Sequence, residues 1–276
     1  METYLNHAFR SLFNLSGDSF SMQLLKEKSL NLILTPKIQS IDSLKILTSL
    51  LFEKYQISKV SFLSTLENIS HILKDKLSHD QQASSFIMEI GHGVIQIASL
   101  SNPDSVCTIQ KGGMDVSKYI RDHLTTDEPM LRLTELKEQH SKCILPNSSN
   151  DISNTGDEIY IQAAECLFNS DGNSQLVSSI VEFILKELKD VSIQSNLYIS
   201  GGTSLLTNLK ERLQLELGKS LPNLNVEFSK FGKDSSFFGA CKRIKEGQFT
   251  QITNSEYKEK GFDCLLKEKL EPFISQ

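Results

Sequence analysis

Apolar side chains recur along this chain at two spacings, one helical and one extended, and the two alternate from end to end. Tyr4, Leu5, Ala8, Phe9, Leu12 and Phe13 form a helical stripe over residues 4–14. Leu30 to Leu34 is a short apolar run closed by Pro36, which predicts a buried strand. Ser40 can cap the helix that follows, whose apolar face is Ile41, Leu44, Leu47, Leu50 and Leu51. Val60-Ser61-Phe62-Leu63 predicts the next strand, and Leu66, Ile69 and Ile72 the next helix. Residues 74–83 are mostly polar and read as a loop.

Strands are predicted at 85–90 and 93–98, joined by Gly91-His92-Gly93. Gly112-Gly113 precedes a helix carrying Val116, Tyr119, Ile120 and Leu124, and a second helix covers about 129–142. Residues 146–157 have loop composition. The pattern then predicts a strand near 158–162, a helix at 174–188, a strand at 196–200 and a helix at 204–217. Val226 and Phe228 mark a further strand, and helices near 234–246 and 253–260 complete the pattern. Strands and helices mix throughout, so the fold class is α/β.

Composition narrows the function. The chain has 276 residues, 39% of them hydrophobic, which supports a packed core. Its net charge of −5 argues against a broad nucleic-acid footprint, so no direct nucleic-acid partner is expected. No apolar run reaches the roughly 20 residues of a membrane span, and residues 1–7 do not resemble a signal peptide. Cys107, Cys143, Cys166, Cys241 and Cys264 are odd in number and lack metal-ligand spacing, so they read as reduced thiols in a cytoplasmic or nuclear protein.

The two glycine loops carry the candidate chemistry. Each follows an apolar strand: Glu89-Ile90-Gly91-His92-Gly93-Val94 and Ile199-Ser200-Gly201-Gly202-Thr203. Without a Cβ, such loops let backbone N–H groups close on a phosphate, and a following helix start adds positive potential. The same glycines serve equally well in tight strand-to-helix turns. His92 has no second His or Cys nearby in sequence to complete a metal site. No Gly-x-Ser-x-Gly elbow is present to support a hydrolase triad.

The order of several segments resembles the actin-related proteins. Leu32-Ile33-Leu34-Thr35 is similar to the family's LLTE strand, and Leu50 to Tyr55 to the helix end that follows it. Ile109 to Leu124, Leu136-Lys137-Glu138, Ala164 to Phe168, Tyr198 to Leu206, Ser235 to Ala240 and Ser255-Glu256-Tyr257 resemble later family segments in the same order. The resemblance implies an actin-like, ribonuclease H-like fold, reduced. The first phosphate hairpin is missing, and the small insertion domains are missing or shortened. It implies a remnant of a first lobe over 1–108, a second lobe over 109–228 and C-terminal helices over 229–276 returning to the first.

In the family, two phosphate hairpins, Mg²⁺-holding acids and a water-positioning glutamine act together. Here the family's two hairpin aspartates align with Glu89 and His92, and the glutamine falls near Thr65 or Leu66. The resemblance therefore implies no enzyme activity and no required cofactor. Residual ATP or ADP binding is left to Gly91, Gly93, Gly113, Lys137, Glu138, Gly201, Gly202, Thr203 and Lys233, with no metal ligands. For Lys137 and Glu138 the alternative is an exposed charged pair. The 85–98 hairpin and the 196–206 strand–loop are expected to face each other across a cleft between two lobes.

Within the family the likeness runs most to the pointed-end subunit of dynactin. That implies a cytoplasmic, cytoskeletal role at the end of an actin-like filament in dynein-linked transport, with other actin-related or dynactin subunits as partners. The alternatives are an adaptor of a nuclear chromatin-remodelling complex and an ATP-binding actin-fold enzyme.

Overall fold

A computed structural model describes residues 28–35, 40–102, 104–124, 129–145, 158–168, 175–188, 190 and 192–274, with Thr3, Leu5, Ala8 and Lys26. The predicted stripe over 4–14 falls almost wholly outside them, as does the loop at 146–157. The chain divides into two compact units. One contains residues 1–65 and 240–276, the other 66–239.

The first unit opens with β1 (Ser29–Leu34), α1 (Ile41–Ser49) and β2 (Lys59–Ser64). The middle of the chain holds α2 (Thr65–Lys74), α3 (His79–Ala83), β3 (Ser85–Ile90), β4 (Ile95–Ser99), β5 (Val106–Ile109) and α4 (Gly113–Leu124). It continues with α5 (Met130–His140), α6 (Glu158–Glu165), α7 (Gln175–Glu187), β6 (Ser195–Ser200), α8 (Leu209–Gly218) and β7 (Leu224–Phe228). Helix α9 (Ser235–Lys245), β8 (Thr250–Thr253) and α10 (Asn254–Leu265) follow.

In the first unit, β1 and β2 run parallel and β8 joins β2 antiparallel, giving the order β1-β2-β8. A parallel pair needs a crossover, and α1 supplies it. Ser40 does cap α1, its side chain accepting from Ser43 N. Leu44, Leu51, Phe52, Val60, Phe62, Ile252 and Leu265 are among the core of this unit.

The second unit is built on a mixed five-stranded sheet of order β5-β4-β3-β6-β7. The β3–β4 and β4–β5 pairs are antiparallel, and β3–β6 and β6–β7 are parallel. Its main core includes Met88, Ile97, Val116, Ile120, Ile180, Leu197, Ile199 and Leu213, from strands and from the helices packed on them. Leu66, Ile69, Leu73, Ile87, Ala98 and Leu100 form a second cluster. These mixed sheets with helices on their faces are the reduced actin-like α/β fold.

Several elements differ from the sequence reading. The predicted strand at 158–162 is helix α6: Ile161, Ala164 and Glu165 are buried at one-turn spacing, which a strand cannot arrange. Residues 74–83 are not all loop, because Ser78 and Gln81 form a capping box that starts α3. β5 and β8, four residues each, were not expected. The unit boundaries also depart from 1–108 and 109–228. β3, β4 and β5 pair into the same sheet as β6 and β7, so the 85–109 segment belongs with the later residues. No described helix is long and apolar enough to cross a membrane.

Candidate functional site

The two glycine loops meet because β3 and β6 are parallel neighbours. Their register sets Glu89 opposite Ser200, so the loops leave the same edge of one sheet. They are therefore adjoining loops of one unit and do not face each other from two lobes. Ligands of open α/β sheets favour such an edge, outside the carboxyl ends of parallel strands.

Helix α4 starts against the first loop. Gly113 N donates to Gly91 O at 3.0 Å and Met114 N to His92 O at 2.6 Å. Gly112 N donates to the Asp115 carboxylate at 2.8 Å. The first N–H groups of α4 are thus already satisfied by carbonyls and one side chain. At the loop tip, the N–H groups of His92, Gly93 and Val94 make no hydrogen bond to described residues.

Glycine at two of the predicted positions has a packing cause. A Cβ on Gly113 would overlap Thr203 Oγ1 and stand 2.9 Å from Lys137 Nζ. Gly201 has φ +92° and would push a Cβ to 2.5 Å from the Ile90 carbonyl oxygen.

Lys137, on α5, is only 5% exposed, so it is not the surface charge that its neighbour Glu138 suggested. Its ammonium has one long hydrogen bond, 3.5 Å to Gly113 O. Burial pushes the amine below its ordinary value, and Glu138 opposes this. His92 is held below the usual imidazole range by desolvation and then by Lys137, with Asp115 opposing. At neutral pH the imidazole is therefore mostly uncharged, and Lys137 supplies the positive charge.

Lys137, Glu138, Gly202, Leu205, Leu206 and Lys233 line a cavity of about 170 Å³. Four predicted site residues, Lys137, Glu138, Gly202 and Lys233, are thus brought together. Gly91, Gly113 and Thr203 lie beside them through the hydrogen bonds at Gly91 and Lys137. Gly93 stands at the exposed tip, with open space where its Cβ would be. Gly201 sits under β3. Leu205 and Leu206 were not singled out; as plain aliphatic residues after a glycine loop they carried no signal of their own.

These residues fit the anionic and sugar ends of a nucleotide. The Lys137 ammonium, a buried group, lines the cavity, and at the hairpin tip backbone amides make no hydrogen bond to described residues. The cavity is smaller than the roughly 300–1,000 Å³ of whole-ligand pockets, so it would take one end of such a molecule. Leu66, one of the two candidates for the water-positioning site, is fully buried in a core cluster, and Thr65 is buried as well. Among the described residues no three His, Cys, Asp or Glu side chains converge.

Comparison with known proteins agrees with the fold. The model of the actin family, described as Actin, matches residues 132–270, half of the chain. The chain belongs to the actin family. It is 32% identical over 108 residues to actin-related protein 4 of Candida albicans, covering 37% of this chain and 23% of that protein. It is 30% identical over 105 residues to actin-related protein 4 of Debaryomyces hansenii, covering 36% of this chain and 21% of that one. The chain thus aligns with less than a quarter of the length of either relative.

Proposed function

We propose that this chain is a non-catalytic, structural actin-related subunit, an adaptor in a nuclear chromatin-remodelling complex. The observation that carries the non-catalytic part is the hairpin. Where the family's hairpin carries two aspartates, this one carries Glu89 and His92, so one of the two carboxylates is replaced by an imidazole that burial keeps from charging. Loss of one such electrostatic contact costs about 10²–10³ in rate, and several parts are altered here. The likeness to two actin-related protein 4 chains supports the chromatin-remodelling assembly over the dynactin end.

In this reading the partners are other actin-related and remodelling subunits, and neither nucleic acid nor membrane is contacted directly. Nucleotide is not required. Where ATP or ADP binds, Gly202, Leu205, Leu206, Glu138 and Lys233 would hold the nucleoside end, and Lys137 with the tip amides the phosphates. Bound nucleotide would supply stability by mass action, about 2.7 kcal/mol at a hundred times its Kd.

The test is affinity purification of the tagged chain from nuclear and cytoplasmic fractions, with identification of the companions. The expected result is a stable nuclear assembly containing remodelling subunits. Dynactin subunits as companions would overturn the nuclear assignment, and a well-behaved monomer without companions would overturn the adaptor role.

A further inference from the structure

An open sheet ends in edge strands, and proteins blunt those edges with short strands, charged side chains or a covering group. Among the described residues, β5, β7 and β8 are blunted in these ways. β5 and β8 have four residues each. At β8, Lys269 Nζ also donates to the Gln251 carbonyl at 2.7 Å. At β7, Gln214 of α8 takes both kinds of backbone group. Its Nε2 donates to Leu224 O at 2.8 Å, and its Oε1 accepts from Val226 N at 2.6 Å. β7 also carries the charge of Glu227.

β1 has none of these devices. It lies at the end of the order β1-β2-β8 and pairs with β2. Its six residues, Ser29-Leu30-Asn31-Leu32-Ile33-Leu34, include no charge and no proline. Apart from the ladder with β2, none of them hydrogen-bonds a described residue. Alternate residues of a strand turn N–H and C=O to opposite sides, so half of β1 presents both groups to the open edge. The side chains alternate as well. Leu30, Leu32 and Leu34 are half-buried against the core of the first unit, whereas Ser29, Asn31 and Ile33 are exposed.

We infer that the open edge of β1 takes an extended segment of a partner protein as an added strand. Two features choose this occupant. A row of outward N–H and C=O groups at strand spacing is satisfied by another strand. A segment that is apolar at every second residue also extends the face of Leu30, Leu32 and Leu34 and deepens their burial. A second copy of the chain fits less well. Two six-residue strands, each about 20 Å long, cover far less than the roughly 1,200 Å² of a stable interface. A companion subunit held to this chain elsewhere needs no such area at β1, because its segment is presented at high effective concentration. To that extent the inference rests on the adaptor reading.

The test uses the full chain and short fluorescein-labelled peptides of alternating Val and Thr, kept dilute enough to stay monomeric, with binding read by anisotropy. The control peptide carries proline at its centre, which removes ladder donors. Hydrogen exchange on fragments covering 29–34 locates the binding. Ile33→Lys and Asn31→Lys each put a charge at an exposed position of the edge, so the thermal melt of each should match the parent. The expected result is binding of the Val-Thr peptide and not of the proline control, with slower exchange within 29–34. Either substitution should weaken it about tenfold. Four results would overturn the proposal. The first is no binding of any alternating peptide. The second is binding that changes neither exchange within 29–34 nor affinity in either folded variant. The third is the absence of fast-exchanging amides from 29–34 in the free chain, which would mean that the edge is already paired within the chain. The fourth is a dimer by light scattering that Ile33→Lys dissociates, which would assign the edge to a second copy. The adaptor reading fails separately, because companions can co-purify whether or not β1 binds a strand.

Discussion

The hydroxyl of Thr203 donates to the carbonyl oxygen of Gly91 at 2.9 Å, across a separation of 112 residues. The same oxygen accepts from Gly113 N at 3.0 Å. One carbonyl thus ties the loop after β3, the loop after β6 and the start of α4. Thr203 is buried, and its hydroxyl fills the space that a side chain on residue 113 would need. Thr203→Val removes one hydrogen bond while Gly113 N still satisfies the carbonyl. A loss of about 1 kcal/mol is expected from denaturant melts. Gly113→Ala forces a methyl against that hydroxyl and should cost about 1–3 kcal/mol. Combining it with Thr203→Ala opens the space, so the double variant should be more stable than the sum of the singles by about 1 kcal/mol.

Gly201 and Gly202 are adjacent but should respond very differently. Gly201→Ala meets both a positive φ and the Ile90 carbonyl at 2.5 Å, and neither backbone can yield cheaply. It should destabilise by about 2–3 kcal/mol. Gly202 has nothing within 4 Å of its would-be Cβ, so Gly202→Ala should stay within about 0.5 kcal/mol of the parent. Thermal melts of the two variants decide this. Equal effects would mean that the loop conformation differs from the one described.

Lys137 sets a pH dependence. Burial lowers its amine in the folded state from the ordinary 10.5. Below the folded value both states carry the charge, and the folded state bears the full cost of burying it. Between the folded value and 10.5 the unfolded chain binds more protons, so stability rises with pH across that window. Lys137→Met should therefore raise the melting temperature near neutral pH, with the gain shrinking as pH approaches 10.5. Without nucleotide, a variant less stable than the parent near neutral pH would mean that the ammonium is well compensated.

The actin-like order of segments was legible because strands β1, β2, β3, β4, β6 and β7 each carry an apolar run, and both glycine loops follow such runs. Ser40 was readable as a cap because capping is local chemistry. What failed depended on partners distant in sequence. Ile159-Tyr160-Ile161 looks extended by residue type, yet Tyr160, Ala163 and Ala164 pack on the core at helical spacing. The placement of β3 beside β6 is a pairing over a hundred residues, which no local pattern encodes. By sequence Lys137 is either a nucleotide-side residue or half of an exposed charged pair, and only the fold shows it buried beside Gly113. The gathering of Lys137, Glu138, Gly202 and Lys233 around one cavity came from the family resemblance and not from their spacing.

We propose a structural subunit whose hairpin does not support hydrolysis. It is tested most directly by phosphate release from Mg²⁺–ATP with the purified full chain in excess, so that even a single turnover would be seen. The expected result is release indistinguishable from a protein-free control, with or without added nucleotide-exchange time. Release above that control, abolished by Gly202→Val in a variant that still folds, would contradict the claim and restore an enzyme.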